Sequence, residues 1–282
     1  MNVPIEAARR CYAEELRFVT HMTSPALLEA FATVPRERFV GPGPWRILSP
    51  RGYWTTEEAD PRNVYHNVLI SLDEAKCLNN GQPSLWALHL DRLGVCLNDH
   101  VLHLGCGTGY YTAILAEMAG QNGDITAVEI DAGVAERARA ALTPWRQIAV
   151  VHADGSRGPF EPVDVIVASA GATHPLQAWL AALKPGGRLL FPLTPEEGSG
   201  AMAYVTRKTE DSFAARLMFG VQFIPFAGAR DPGVSRQLAE ALNRDAGGTV
   251  KSLRCDLHDN EEMCWLHGDG WCFSIREPDV VD

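Results

Sequence analysis

Apolar positions near the start of the chain recur three and four residues apart, the spacing of one helix face. Residues 5–18 (IEAARRCYAEELRF) predict a first helix, and SPALLEAFATV predicts a second. Ser24 stands at the N-cap of that second helix and Pro25 at its first turn, the positions those residue types favour. Residues 41–63 break the rhythm with Pro42, Pro44, Pro50, Pro61 and three glycines. They predict a long irregular loop carrying Trp45, Tyr53 and Trp54. A loop of that length is often functional, although its aromatics could equally pin it to the body.

From residue 83 the pattern turns regular. Residues 83–93 predict a helix, VLHL a strand and YTAILAEM a helix; ITAVEI, AGVAERARAAL and IAVVHA continue the alternation. VDVIVAS, PLQAWLAAL and RLLFPL complete it, the last strand entered through a Lys184-Pro185-Gly186-Gly187 turn. Strands alternating with helices imply a parallel sheet covered on both faces. AMAYVTRKT and FAARLMFGVQFIPF, separated by Glu210 and Asp211, predict a closing hairpin. Residues 229–247 predict a helix. Residues 249–276 form a Cys- and Trp-rich, strand-like tail with a turn at His267-Gly268-Asp269-Gly270. Three regions follow: a helical cap with a substrate-side loop (1–82), a nucleotide-binding core (83–228) and a C-terminal helix with a β-hairpin (229–282).

Candidate chemistry concentrates where the first strand of the core ends. VLHLGCGTG places Gly105, Gly107 and Gly109 at Gly-x-Gly-x-Gly spacing between a buried strand and a helix. Glycine tolerates positive φ and lets backbone approach a nucleotide-like ligand. A dinucleotide loop wants G-x-G-x-x-G; here the third glycine comes one residue early and is followed by Tyr110 and Tyr111. Glu129 ends the next strand, where a carboxylate can accept two hydrogen bonds from a ribose diol, as it would in a dinucleotide site too. Asp154 ends the third strand. It suits an exocyclic adenine amine, with Gly155 letting the backbone pass the ring edge; the same Asp-Gly pair also makes a ligand-free turn. Ser169 opens a run of small residues, Ser169-Ala170-Gly171-Ala172, at the end of the fourth.

The loop spacing resembles the S-adenosylmethionine loop of class I methyltransferases, and the order LGCGTG, acidic strand end, ADG, LKPGGRLLFPL is similar to that superfamily. More narrowly, VPRERFV (34–40), Gln82-Pro83, VVHADGSRG and LKPGGRLLFPL resemble the protein-L-isoaspartate O-methyltransferase family across residues 6–195. The resemblance implies an α/β, Rossmann-like, doubly wound seven-stranded and mostly parallel sheet with a small β-rich extension. It implies S-adenosyl-L-methionine as cofactor, held by Gln82, Pro83, Gly105, Cys106, Gly107, Thr108, Gly109, Tyr110, Glu129, Ile130, Asp154, Gly155 and Ser169. The implied reaction is O-methylation of a carboxylate on an isoaspartyl-like group in a peptide or protein. The alternatives are a methyltransferase for a biosynthetic small molecule or modified peptide, and a non-catalytic cofactor-binding adaptor.

Two positions depart from the family pattern. Gly81 stands where the family has a serine implicated in the active site, and His103 where strand one usually carries an acid. A neutral imidazole can still bond backbone, a structural role. No catalytic residue stands out. A carboxylate acceptor, with an ordinary pKa of about 3.9, is ionised at neutral pH and needs no general base.

Bulk properties narrow the partners. Lys plus Arg number 25 against 35 Asp plus Glu, a formal charge of −10, without a long basic run. That argues against a broad nucleic-acid footprint. No window approaches 18 consecutive apolar residues, so no membrane span is expected. The N-terminus lacks an apolar signal core, and seven scattered cysteines suit reduced thiols in the cytoplasm. In the tail, Cys255-x-x-His258 and Cys264-x-x-His267, with Cys272 nearby, could reach a tetrahedral zinc. Strand periodicity explains the same letters without metal, with Cys264 and Leu266 on one face and Trp265 and His267 on the other. A metal-free packed hairpin is therefore expected.

Overall fold

A computed structural model describes residues 4–279; the outer three residues at each end, included in the region boundaries above, lie outside the described residues. In chain order the first elements are α1 (Ile5–Thr20), α2 (Pro25–Thr33), β1 (Arg46–Ser49), β2 (Gly52–Thr55), β3 (Leu69–Asp73) and β4 (Leu78–Asn79). Next come α3 (Pro83–Leu93), β5 (His100–Leu104), α4 (Tyr110–Ala119), β6 (Asp124–Glu129), α5 (Ala132–Leu142) and β7 (Ile148–His152). The remainder is β8 (Val163–Ala168), α6 (Gln177–Ala182), β9 (Leu183–Leu193), β10 (Gly200–Arg207), β11 (Ser212–Val221), α7 (Pro232–Asp245), β12 (Ser252–Arg254), β13 (Cys264–Gly268) and β14 (Trp271–Ser274). These elements form two compact units. The first holds residues up to Asp99 together with Cys106–His152; the second holds His100–Gly105 and the chain from Ala153 onward.

In the first unit, α1 buries Tyr12, Ala13 and Leu16, and α2 buries Leu27, Ala30 and Phe31, as the helical spacing requires. The Ser24 hydroxyl accepts the Leu27 N–H at 3.2 Å, confirming the cap. The expected long loop instead carries a pair of short strands. β1 and β2 form a hairpin around Pro50-Arg51, and the order β2-β1-β3-β4 makes a four-stranded antiparallel sheet. Strands of four residues crowded by prolines give too little alternation to read. Trp45 is buried and donates its indole N–H to the Gly41 carbonyl at 3.0 Å, whereas Trp54 stays exposed. β6 and β7 pair in parallel.

In the second unit, β5, β8 and β9 run parallel, and β10 and β11 close antiparallel on β9 as the predicted hairpin. The Lys184–Gly187 turn is absorbed into β9 as an irregularity, since Val163 pairs with Leu183 and Val165 already with Arg188. All seven expected strands are present. The tail adds to them: β12 pairs with β11, β14 with β12 and β13 with β14, so the C-terminal hairpin extends the sheet edge. No helix among the described residues is long and apolar enough to cross a membrane.

Candidate functional site

Gly107 and Gly109 both have positive φ, +58° and +95°, yet for different reasons. A Cβ on Gly107 would meet nothing within 4 Å, so this backbone borders open space. A Cβ on Gly109 would lie 2.7 Å from Leu142 Cδ1; the third glycine exists to let α4 pack against α5. Glu129, at the end of β6, ties the loop down. Its Oε2 accepts the Gly107 N–H at 2.8 Å and its Oε1 accepts the Asp131 N–H at 3.1 Å. A carboxylate offers about four lone-pair sites, so about two remain for a ligand. Ile130, next in the chain, is half exposed although aliphatic. An open glycine cradle, a carboxylate with spare acceptor capacity and an exposed aliphatic side chain fit the ribose and base of a nucleoside cofactor. Cys106 and Thr108 are buried, and the Cys106 N–H donates to the Val128 carbonyl at 3.0 Å. Burial, reinforced by the Glu129 charge, pushes the Cys106 thiol far up, so it is an inert loop residue.

Three of the anticipated residues in this unit have other duties for their side chains. Tyr110 is buried against Phe39 and Phe31, with ring centroids 5.7 and 6.4 Å away, and its hydroxyl lies 3.5 Å from that of Tyr12. Its ring locks α4 to the N-terminal helices, leaving only backbone to the loop. Gln82 donates its amide to Asn67, at 3.2 Å to the carbonyl and 3.0 Å to Oδ1. Pro83 occupies the first position of α3, where its missing N–H costs nothing. Beside them Gly81 has φ +75°, and a Cβ there would sit 2.6 Å from Trp86 Nε1 and 3.0 Å from Tyr111 Cε2. An indole thus fills the place where the family's serine side chain would begin.

The residues of VPRERFV have structural duties that the sequence alone does not show. Arg36 is fully buried and donates from Nη1 to the carbonyls of Val64 and His66, both at 2.7 Å, and from Nη2 to Val68 at 2.8 Å. Its guanidinium also lies over the rings of Tyr12 and Tyr110, 5.6 and 5.8 Å from the centroids. Arg38 Nε donates to Ala141 O at 2.5 Å, a cation on the C-terminal turn of α5. The motif is a clamp on the first unit's fold. In the sequence Arg36 is one of three charges in the motif and nothing marks it as buried.

In the second unit, Asp154 follows the third strand as expected. Its Oδ1 accepts the Ser156 N–H at 2.9 Å and hydroxyl at 2.7 Å, and Oδ2 faces exposed Arg157 at 3.0 Å. The Ser156 hydroxyl, with help from Arg157, holds this carboxyl below the usual range. Gly155 has a packing reason that the ligand reading overlooked: a Cβ would crowd Phe226 at 3.1 Å and Leu104 at 3.2 Å. The Gly155 carbonyl also accepts the Trp179 indole N–H at 2.9 Å. Gly105 has φ +69°, and a Cβ there would lie 4.0 Å from Ala170. Ser169 Oγ bonds His103 Nε2 at 2.8 Å. His103 is buried within β5, and burial pushes its pKa down to about 3. It is a neutral imidazole bonded to a side-chain hydroxyl, where a backbone partner was expected.

The tail departs from its expected periodicity. β13 bulges between Cys264 and Leu266, so Cys264 and His267 come to the same side, 3.8 Å apart from Sγ to Nδ1. A strict two-residue period puts them on opposite faces and fails here because the bulge inserts an unpaired residue. His258, Cys264, His267 and Cys272 converge, with all four potential ligand atoms within 4.8 Å of one another. Cys255 lies outside this group. The metal-free reading rested on that period.

Residues 11–231 match the family described as protein-L-isoaspartate(D-aspartate) O-methyltransferase. The protein-L-isoaspartate O-methyltransferase 1 of Rhodopseudomonas palustris (strain HaA2) is 31% identical over 208 residues, covering 72% of this chain and 76% of that protein. The protein-L-isoaspartate O-methyltransferase of Methylorubrum extorquens (strain PA1) is 31% identical over 240 residues, covering 82% and 94%. Among solved structures, a protein-L-isoaspartate O-methyltransferase superposes with a TM-score of 0.64 at 24% identity, over 83% of this chain and 69% of that one. Another, from Plasmodium falciparum in complex with S-adenosyl-L-homocysteine, gives 0.62 at 15% identity, over 77% and 97%. At those identities the structural likeness is one of fold.

Proposed function

Because the chain belongs to the protein-L-isoaspartate O-methyltransferase family, we propose that it is an S-adenosylmethionine-dependent enzyme that esterifies a carboxylate, with an isoaspartyl group of a peptide or protein as the acceptor. The observation that carries this reading is the open backbone at Gly107 beside the half-satisfied Glu129 carboxylate. When bound, the cofactor supplies an electrophilic sulfonium methyl. Glu129 accepts from the ribose hydroxyls while keeping the loop in place through the Gly107 N–H. Ile130 would offer an apolar face to the base, and Asp154, in the second unit, is a candidate acceptor for its exocyclic amine. The bare backbone at Gly107 would leave the cofactor room; Gly105 and Ser169, in the second unit, are further candidates to hold it. The acceptor arrives ionised, because its carboxyl titrates near 4. The protein's task is therefore alignment and exclusion of water, with no proton to remove.

Gly81 favours a second reading of the acceptor. The position of the family's serine is packed by Trp86, which leaves no hydroxyl there to meet an isoaspartyl carboxylate. A modified peptide or a small acid is the acceptor that this difference suggests. One experiment covers both readings: tritiated methyl transfer from S-adenosylmethionine to an isoaspartyl peptide, its normal aspartyl twin and a panel of small carboxylic acids. A methyl ester that releases methanol in mild alkali is expected. Transfer to the isoaspartyl peptide alone supports the first reading, and transfer to a small acid alone supports the second. An alkali-stable product would sink the carboxylate assignment.

A further inference from the structure

We propose that His258, Cys264, His267 and Cys272 form a structural zinc site in the C-terminal extension, independent of methyl transfer. Two of the ligands share one hairpin register: His267 on β13 pairs directly with Cys272 on β14, so their side chains leave the same face. The bulge brings Cys264 to that face as well. His258 comes from the loop between β12 and β13 and completes the set.

Two of the cluster's distances approach the edges of a metal tetrahedron. With zinc–sulfur and zinc–nitrogen bonds of about 2.3 and 2.0–2.1 Å, its sulfur–nitrogen edge is about 3.5–3.6 Å. Cys264 Sγ lies 3.6 Å from His258 Nε2 and 3.8 Å from His267 Nδ1. The two imidazole rings stand nearly perpendicular, at 77°, with centroids 5.0 Å apart. That arrangement aims two nitrogens at one point without stacking the rings.

The surroundings prepare the ligands for a cation. His258 directs Nδ1 at the Asp256 carbonyl, 2.9 Å away, so Nδ1 carries the hydrogen and Nε2 keeps its lone pair for the cluster. Asp256 is held by Arg254, whose Nε and Nη2 donate to it at 2.9 and 2.6 Å; Nη1 of the same arginine donates to Glu261 at 2.7 Å. One buried arginine thus fixes both ends of the loop that presents His258. The Glu261 N–H points at Cys264 Sγ from 3.5 Å, a donor that stabilises a thiolate. Cys272 is buried and the other three are half-buried. Four protein ligands leave no open position, so the site is structural rather than catalytic.

The test is metal analysis of the full-length protein, purified under reducing conditions after growth with zinc. One zinc per chain is expected. Cys264→Ser and His258→Gln should lower the content to background, while Cys255→Ser should keep it. Replacing zinc by cobalt(II) should give tetrahedral d–d bands and thiolate charge-transfer absorption, both lost in Cys264→Ser. If either ligand variant fails to fold, stepwise mercurial titration of the unmodified protein must release one zinc as Cys264 and Cys272 react. Zinc absent from the reduced protein even after reconstitution, or retained in full by Cys264→Ser, would overturn the proposal.

Discussion

Gly81→Ser is the substitution that would restore the family's residue, and the structure predicts that it damages the protein. The position has φ +75°, in the left-handed region. A side chain there costs about 1–2 kcal/mol from contact between Cβ and the neighbouring carbonyl. The new Cβ would also lie 2.6 Å from Trp86 Nε1 and 3.0 Å from both Trp86 Cδ1 and Tyr111 Cε2. Neither ring has room to yield. They pack against one another with centroids 5.0 Å apart, and the Tyr111 hydroxyl is anchored on the Gly81 carbonyl at 3.1 Å. Overpacking of this kind costs about 1–3 kcal/mol. Together the two effects put the loss at about 2–5 kcal/mol, read by urea denaturation of Gly81→Ser against the parent. Gly81→Ala should lose nearly as much, because the Cβ and not the hydroxyl is responsible. Trp86→Leu removes the clash at its own cavity cost, so the double variant Gly81→Ser/Trp86→Leu should be more stable than the two single losses add up to, by about 1 kcal/mol or more. Turnover of isoaspartyl peptide should not rise in Gly81→Ser. A stability within about 0.5 kcal/mol of the parent, the range of an inconsequential surface change, would show that Trp86 does not occupy this space.

Three further outcomes follow from the same geometry. Glu129→Ala should weaken S-adenosylmethionine binding by about 1.5–3 kcal/mol, and calorimetry showing unchanged affinity removes Glu129 from the cofactor site. Gly107→Val should abolish cofactor binding in a protein that still folds but is less stable by about 1–2 kcal/mol, since its Cβ meets open space while φ +58° strains a side chain there; a cooperative melt together with normal binding would contradict the cradle. His103 and His89 are buried, with pKa values pushed down to about 3 and about 4. The unfolded chain takes up protons on both near pH 6.5 while the native state does not, so stability falls as pH drops below 6.5 toward 4. Each such histidine contributes about 1.4 kcal/mol per pH unit in that window. His103→Asn should flatten the slope measured by denaturation at several pH values, and an unchanged slope would refute the buried neutral imidazole.

The glycine loop and the acid that ties it down were readable because backbone chemistry writes itself into sequence. A strand that ends in Gly105-Cys106-Gly107 and another that ends in Glu129 leave few alternatives. Even so, the spacing could not separate the glycine that borders open space from the one that packs: Gly107 and Gly109 differ only in whether Leu142 lies beyond them. The four-stranded sheet at residues 46–79 was missed because its strands are too short to show alternation between the prolines. Arg36 looked like one charge among several in VPRERFV, yet it is a fully buried donor to three carbonyls. Nothing local to a residue announces carbonyls some 30 positions away. The tail failed for a different reason. A bulge is one extra residue, and a period-two argument has no means of detecting it before the partner strand is known.

The allocation of β5 to the second unit governs how this chain can be made and cut. Residues 100–105 are synthesised in the middle of the first unit's sequence, yet β5 also needs β8, its parallel partner some 60 positions further on. On the ribosome, β5 therefore waits with an apolar, unpaired edge while α4, β6, α5 and β7 emerge. A fragment ending at His152 would carry that bare edge permanently, a template for aggregation. The chain cannot be divided into two expressible halves at a single bond. A tag or reporter belongs instead at a tip such as Gly198, where added bulk meets nothing within 4 Å.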